Sequence, residues 1–139
     1  MTGGDLDQDS IKDQLNALRS KLIVLHKALI DSERVEYEKS FGTLETPQQF
    51  LKALINDPWF AWLQRLSGMI VRIDESVAKD APTTEEDATA IVREVERLLT
   101  ASESGDEFQK HYYEALQRQP AVVLAHAEVR RTLKSAPRS

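Results

Sequence analysis

Apolar residues recur along much of the chain at alternating steps of three and four, the spacing of helices that bury one face. The clearest run is Ile11, Leu15, Leu18, Leu22, Leu25 and Leu29, a packed seam that follows Ser10 and predicts a helix reaching Phe41. Gly42 then stands where a left-handed C-terminal cap is wanted. Thr46-Pro47-Gln48-Gln49 has the form of a capping box with proline at the first helical position. It predicts a short helix over 47–56 that carries Phe50, Leu51, Leu54 and Ile55. Asp57-Pro58 restarts the chain, and a long helix from Trp59 to Lys79 is expected, with Trp59, Trp62 or Leu63, Leu66, Ile70, Ile73 and Val77 as its seam.

Beyond the turn Ala81-Pro82-Thr83, Thr83 and Glu86 form another capping box, and the helix behind it carries Ala88, Ile91, Val92, Val95, Leu98 and Leu99. Ser104 to Glu107 repeats the start signal ahead of Phe108, Tyr112, Ala115 and Leu116, then Val122, Val129 and Leu133. Pro120 interrupts this last stretch and predicts either a kink or two separate helices. Alternating strand patterns, hairpin turns and solenoid repeats are absent from the sequence. The expected fold is therefore all-α. Its simplest form is an antiparallel four-helix bundle with a short additional helix at about 47–56 and a break or kink near Pro120. Residues 10–134 are expected to form the one domain, between flexible tails at 1–9 and 135–139.

Composition narrows the function classes. Charged residues make up 29% and hydrophobic residues 41% of the 139, the balance of a folded protein. The net charge of −5 opposes long-range attraction to nucleic acid or anionic lipid, so neither partner is expected. Without cysteine there is no disulfide, thiolate metal site or thiol nucleophile. The acidic start lacks a basic, then apolar leader, and no apolar run approaches the ~20 residues that span a bilayer. The cytoplasm is the expected location.

Helical bundles often hold di-iron centres, so the histidine spacing is informative. Three residues before His26, His111 and His126 stand Ile23, Phe108 and Val123; four after them stand Ile30, Ala115 and Arg130. These neighbours exclude Glu-x-x-His, His-x-x-x-His and His-x-x-x-Glu, so no metal ligand or cofactor is assigned. Phosphate-cradling glycine loops and the Gly-x-Ser-x-Gly elbow are also missing from the sequence. No catalytic residue is assigned; enzymatic activity is left open, with a non-enzymatic role favoured.

Two constellations remain. After Leu29 the first seam turns polar, through Glu33, Glu36 and Tyr37, with His26, Ile30, Glu33 and Tyr37 at helical spacing on its flank. The bland explanation is a helix projecting past the core; the alternative is a polar site. Equal rises along an up-down bundle place Glu33 and Tyr37 at one end with Trp59, Trp62, His111 and Tyr112. One level down, His26 meets Asp74 and His126 with Arg72 nearby, although singly satisfied structural histidines explain that layer more simply. Trp59, Phe60 and Trp62 spread around an α-helix, and adjacent Tyr112 and Tyr113 cannot both face a core, so surplus aromatic surface is expected. The segment Leu54–Glu75 that holds the tryptophans reads as a signature rather than as generic helix.

Three functions follow as expectations. The first is a non-enzymatic helical interaction module, homodimeric in one form, with Tyr37, Trp59, Trp62 and Tyr113 at its interface. The second is a small-molecule- or metal-binding bundle whose polar site draws on His26, Glu33, Glu36, Arg72, Asp74, His111 and His126. The third is an acidic inhibitor or immunity-type protein that captures a basic partner.

Overall fold

The computed structural model describes residues 3–78 and 80–135, and every regular element among them is a helix. The longest, α1 (Gly3–Phe41), is the spine: Ile11, Leu15, Leu18, Leu22, Leu25 and Leu29 are all buried. It touches α3 (Gln64–Ser76), α4 (Glu85–Leu98), α5 (Glu107–Arg118) and, most extensively, α6 (Pro120–Lys134). α1 begins upstream of the expected cap at Ser10, so Gly3–Asp9 continue the helix where a tail is expected from the sequence. Met1, Thr2 and 136–139 lie outside the described residues. At its other end Gly42 adopts φ 95° and its N–H donates to the Glu38 carbonyl at 3.0 Å, closing the helix as expected.

α2 (Pro47–Asn56) starts at Thr46, whose hydroxyl accepts the Gln49 N–H at 3.1 Å; the Gln49 side chain reaches back to the Glu45 N–H at 2.8 Å. Asp57 then caps a 3-10 helix, Pro58–Leu63, by accepting the Trp59 N–H at 2.9 Å. The continuous α-helix expected from Trp59 to Lys79 is therefore wrong at both ends. It opens as six residues of 3-10 helix, α3 stops at Ser76, and Lys79 is outside the described residues. The opening matters because three residues make a full 3-10 turn, so positions three apart eclipse. Phe60 and Leu63 point together into the core, while Trp59 and Trp62 share the other side.

The capping box of α4 is formed by Thr84 with Asp87, one residue later than Thr83 with Glu86: each side chain takes the other's backbone N–H at 3.0 Å. Thr83 is instead buried, with its hydroxyl donating to the Ser76 carbonyl at the end of α3. An interior threonine that satisfies another helix's orphan carbonyl cannot also cap its own. α5 opens with the Asp106–Gln109 box. The chain then breaks at Gln119, in extended conformation, and Pro120 takes the first position of α6, so this stretch is two helices and not a kinked one.

Across that break the Tyr112 hydroxyl lies 2.5 Å from Nδ1 of His126. Burial pushes the Tyr112 phenol up and the His126 imidazole down from its ordinary 6.5, with Arg130 adding to the latter, so both partners are neutral in the fold. An imidazole whose native pKa lies below its unfolded value contributes stability in full above about pH 6.5 and loses it as pH falls toward the native value. Urea denaturation from pH 8 to pH 5 should therefore show stability falling on the acid side. His126→Gln should flatten that fall; an unchanged slope would count against the pairing.

Candidate functional site

The polar continuation of the α1 seam is not a projection into solvent. Ser32 and Glu33 are both buried, and the Glu33 side chain is only 7% exposed. Burying a carboxylate is costly unless its oxygens are satisfied and its charge is met. Both conditions hold. The Trp62 indole N–H donates to Oε1 of Glu33 at 3.0 Å, and the Arg118 guanidinium donates to Oε2 at 2.6 Å. The same guanidinium also donates to the Ser32 hydroxyl at 3.1 Å and faces Glu36 with its Nε at 3.9 Å. Three elements thus converge on one carboxylate: α1 supplies it, the 3-10 helix brings the indole, and the last turn of α5 brings the cation.

Above these groups opens a cleft of about 240 Å³, lined by Glu33, Glu36, Pro58, Trp59, Trp62, Glu107, His111, Glu114 and Arg118. Its α5 wall is one stripe: Glu107, His111, Glu114 and Arg118 recur at steps of four, three and four. The His111 ring stacks on Trp62 with centroids 5.1 Å apart and planes at 17°. Its nitrogens lie 3.8 Å from Glu107 and 3.7 Å from Glu114. Trp59 packs edge-on to Tyr37 and Phe41, and its indole Nε1 is buried without a hydrogen-bond partner among the described residues. Among those residues, too, no group of three or more His, Asp or Glu side chains is arranged to hold a metal ion.

Of the polar site expected from the sequence, Glu33, Glu36 and His111 meet here beside Trp59 and Trp62. The second layer does not assemble. His26 bonds Ser67 at 2.8 Å, in a separate cavity with Leu54, Phe60 and Leu63, and burial lowers its pKa from 6.5. Asp74 is exposed and pairs with Arg19 at 2.6 Å; Arg72 pairs with Glu94; His126 takes Tyr112. Each of the four has its own partner on a different neighbour, so the equal-rise stacking fails once the 3-10 turn and the break at Gln119 shift the registers. The expected aromatic interface also changes. Trp62 is 6% exposed, Tyr37 is half-buried with its hydroxyl donating to Asp57, and Tyr113 is half-buried with its hydroxyl donating to Glu103. Residues not anticipated in this site are Ser32, Pro58, Glu107, Glu114 and Arg118; the signal that marks most of them is the polar stripe of α5.

Arg118→Met leaves Glu33 buried without its cation and should destabilise the fold by about 3–5 kcal/mol. Adding Glu33→Gln to that variant should recover more than about 1 kcal/mol, because the unmet charge disappears. Chemical denaturation of the two single variants and the double variant measures this coupling, and simple additivity would contradict the arrangement. Compared with protein-family models, curated proteins and solved structures, the chain shows no significant match.

Proposed function

We propose that this protein is a helical bundle that binds a small polar molecule in the cleft between α1, the 3-10 helix and α5. The scaffold is read as antiparallel. Arg118 pairs with Glu33 and Glu128 with Lys21, so α1 is traversed backwards as the chain advances from α5 into α6. The observation that carries the functional reading is the buried Glu33, held by Trp62 and Arg118 at the base of an aromatic-walled cleft. A carboxylate desolvated in this way is expensive as pure structure, since apolar packing of similar volume serves stability as well or better. Convergent polar groups at the base of a partly apolar concavity are the general form of a ligand site. At about 240 Å³ the cleft suits a fragment-sized molecule.

Both tryptophans of the chain line this cleft, so intrinsic tryptophan emission reports on it without a label. Titrating a set of charged and neutral fragments should give at least one saturable change in emission with a matching rise in Tm. Trp62→Phe should abolish the change while the circular dichroism stays helical. A full set that leaves emission and Tm unmoved would contradict the assignment.

A second reading, a protein-interaction module, is favoured by a different observation. On the outer face of α2, Leu51 and Ile55 are 55% and 60% exposed, and Phe41 at the end of α1 is 64% exposed. The interface then lies there and not at Trp59 and Trp62. Light scattering should show an oligomer that Leu51→Glu with Ile55→Glu converts to monomer; a monomer at all concentrations removes self-association as the role.

A further inference from the structure

We infer that the molecule taken by this cleft is a small organic cation, an alkylammonium or related amine; the inference rests on the cleft being a ligand site. It follows from charge and wall chemistry together. Of the lining residues four are glutamates, Glu33, Glu36, Glu107 and Glu114, and one is an arginine. That arginine is already committed. Its guanidinium stands 2.6 Å from Glu33 and 3.9 Å from Glu36, so two carboxylates share one cation at the base. Lys39 reaches Glu36 at 3.1 Å, but its side chain is 67% exposed, and a pair of that kind neutralises little.

Glu33 retains acceptor capacity. Each of its oxygens takes one hydrogen bond from the described residues, whereas a carboxylate offers about four lone-pair sites. An ammonium group entering the cleft therefore finds Glu33 and Glu36 beside it and, along its walls, the indole of Trp59 and that of Trp62, one face of which already stacks on His111. Aromatic faces attract organic cations through the ring quadrupole, and they do so more strongly when water is excluded. An anion meets the same carboxylates as repulsion, and a neutral molecule leaves the shared charge unmet. A compact metal ion is not favoured, because the described His, Asp and Glu side chains form no metal-holding group.

Three probes with one alkyl chain separate these cases: n-butylammonium chloride, sodium butyrate and n-butanol, titrated at fixed ionic strength with tryptophan emission as readout. The expected result is saturable binding of butylammonium, at least tenfold tighter than butyrate or butanol. Glu36→Gln should weaken butylammonium roughly tenfold, the scale of one partly buried charge pair. Glu75→Gln, at an exposed acid of α3 outside the cleft, should leave it unchanged. Glu36 is half-buried and not part of the apolar core, so its variant should fold, and circular dichroism checks that. Binding of butyrate or butanol as tightly as butylammonium would overturn the cation assignment while leaving a small-molecule site in place. Saturation by none of the three, with no hit in the wider fragment set, would remove both. Insensitivity of butylammonium binding to Glu36→Gln would overturn the placement in this cleft.

Discussion

A single carboxylate, Glu33, is taken out of water at the point where the leucine seam of α1 would otherwise end, and several features of the molecule follow from that. A buried charge must be met by a countercharge and by hydrogen bonds, or the fold loses several kcal/mol. The countercharge comes from Arg118 at the end of α5 and one hydrogen bond from Trp62 on the 3-10 helix. Neither partner is near Glu33 in the chain, so satisfying one side chain fixes how three elements meet. The break at Gln119 fits this arrangement. It ends α5 immediately after Arg118 has reached α1 and lets α6 set out along the spine from there.

The 3-10 helix plays the matching part on the aromatic side. In an α-helix the Pro58–Leu63 segment would spread Trp59, Phe60 and Trp62 around its circumference. Three residues per turn gather them into two rows, one for the core and one for the cleft. Asp57 sets this up by capping the turn and accepting from the Tyr37 hydroxyl, which joins the aromatic row back to α1. The cleft consequently takes its indole wall from the 3-10 helix and its charged side chains from α1 and α5, on helices and not on loops.

What was legible in the sequence was whatever depends on neighbours in the chain. The leucine seam, the Gly42 terminus, the Thr46 cap and the all-helical class are local consequences of spacing and side-chain chemistry. The approach of Glu33 to Trp62 and His111 was also accessible, because both helix ends carried marks that fix a level along the helices. The His26, Asp74 and His126 layer was not a real neighbourhood. Its alignment assumed equal rises, and neither a 3-10 turn nor an extended residue between two helices has the rise of an α-helix. Thr83 was misassigned for a related reason: its true partner, the Ser76 carbonyl, becomes a neighbour only after α3 has terminated early. Arg118 carries no local mark of its role beyond its place in a polar stripe, since nothing in α5 announces a carboxylate buried in α1.

The central claim is that Trp62 and Arg118 hold Glu33 as a buried carboxylate at the base of the cleft. Nuclear magnetic resonance of the indole N–H groups tests it most directly, because the chain has two tryptophans and, among the described residues, only one of them donates to a carboxylate. The Trp62 indole proton should resonate downfield of that of Trp59, exchange slowly with solvent, and move sharply upfield in Glu33→Gln. Two indole protons with similar shifts, fast exchange at Trp62 and no response to Glu33→Gln would contradict it.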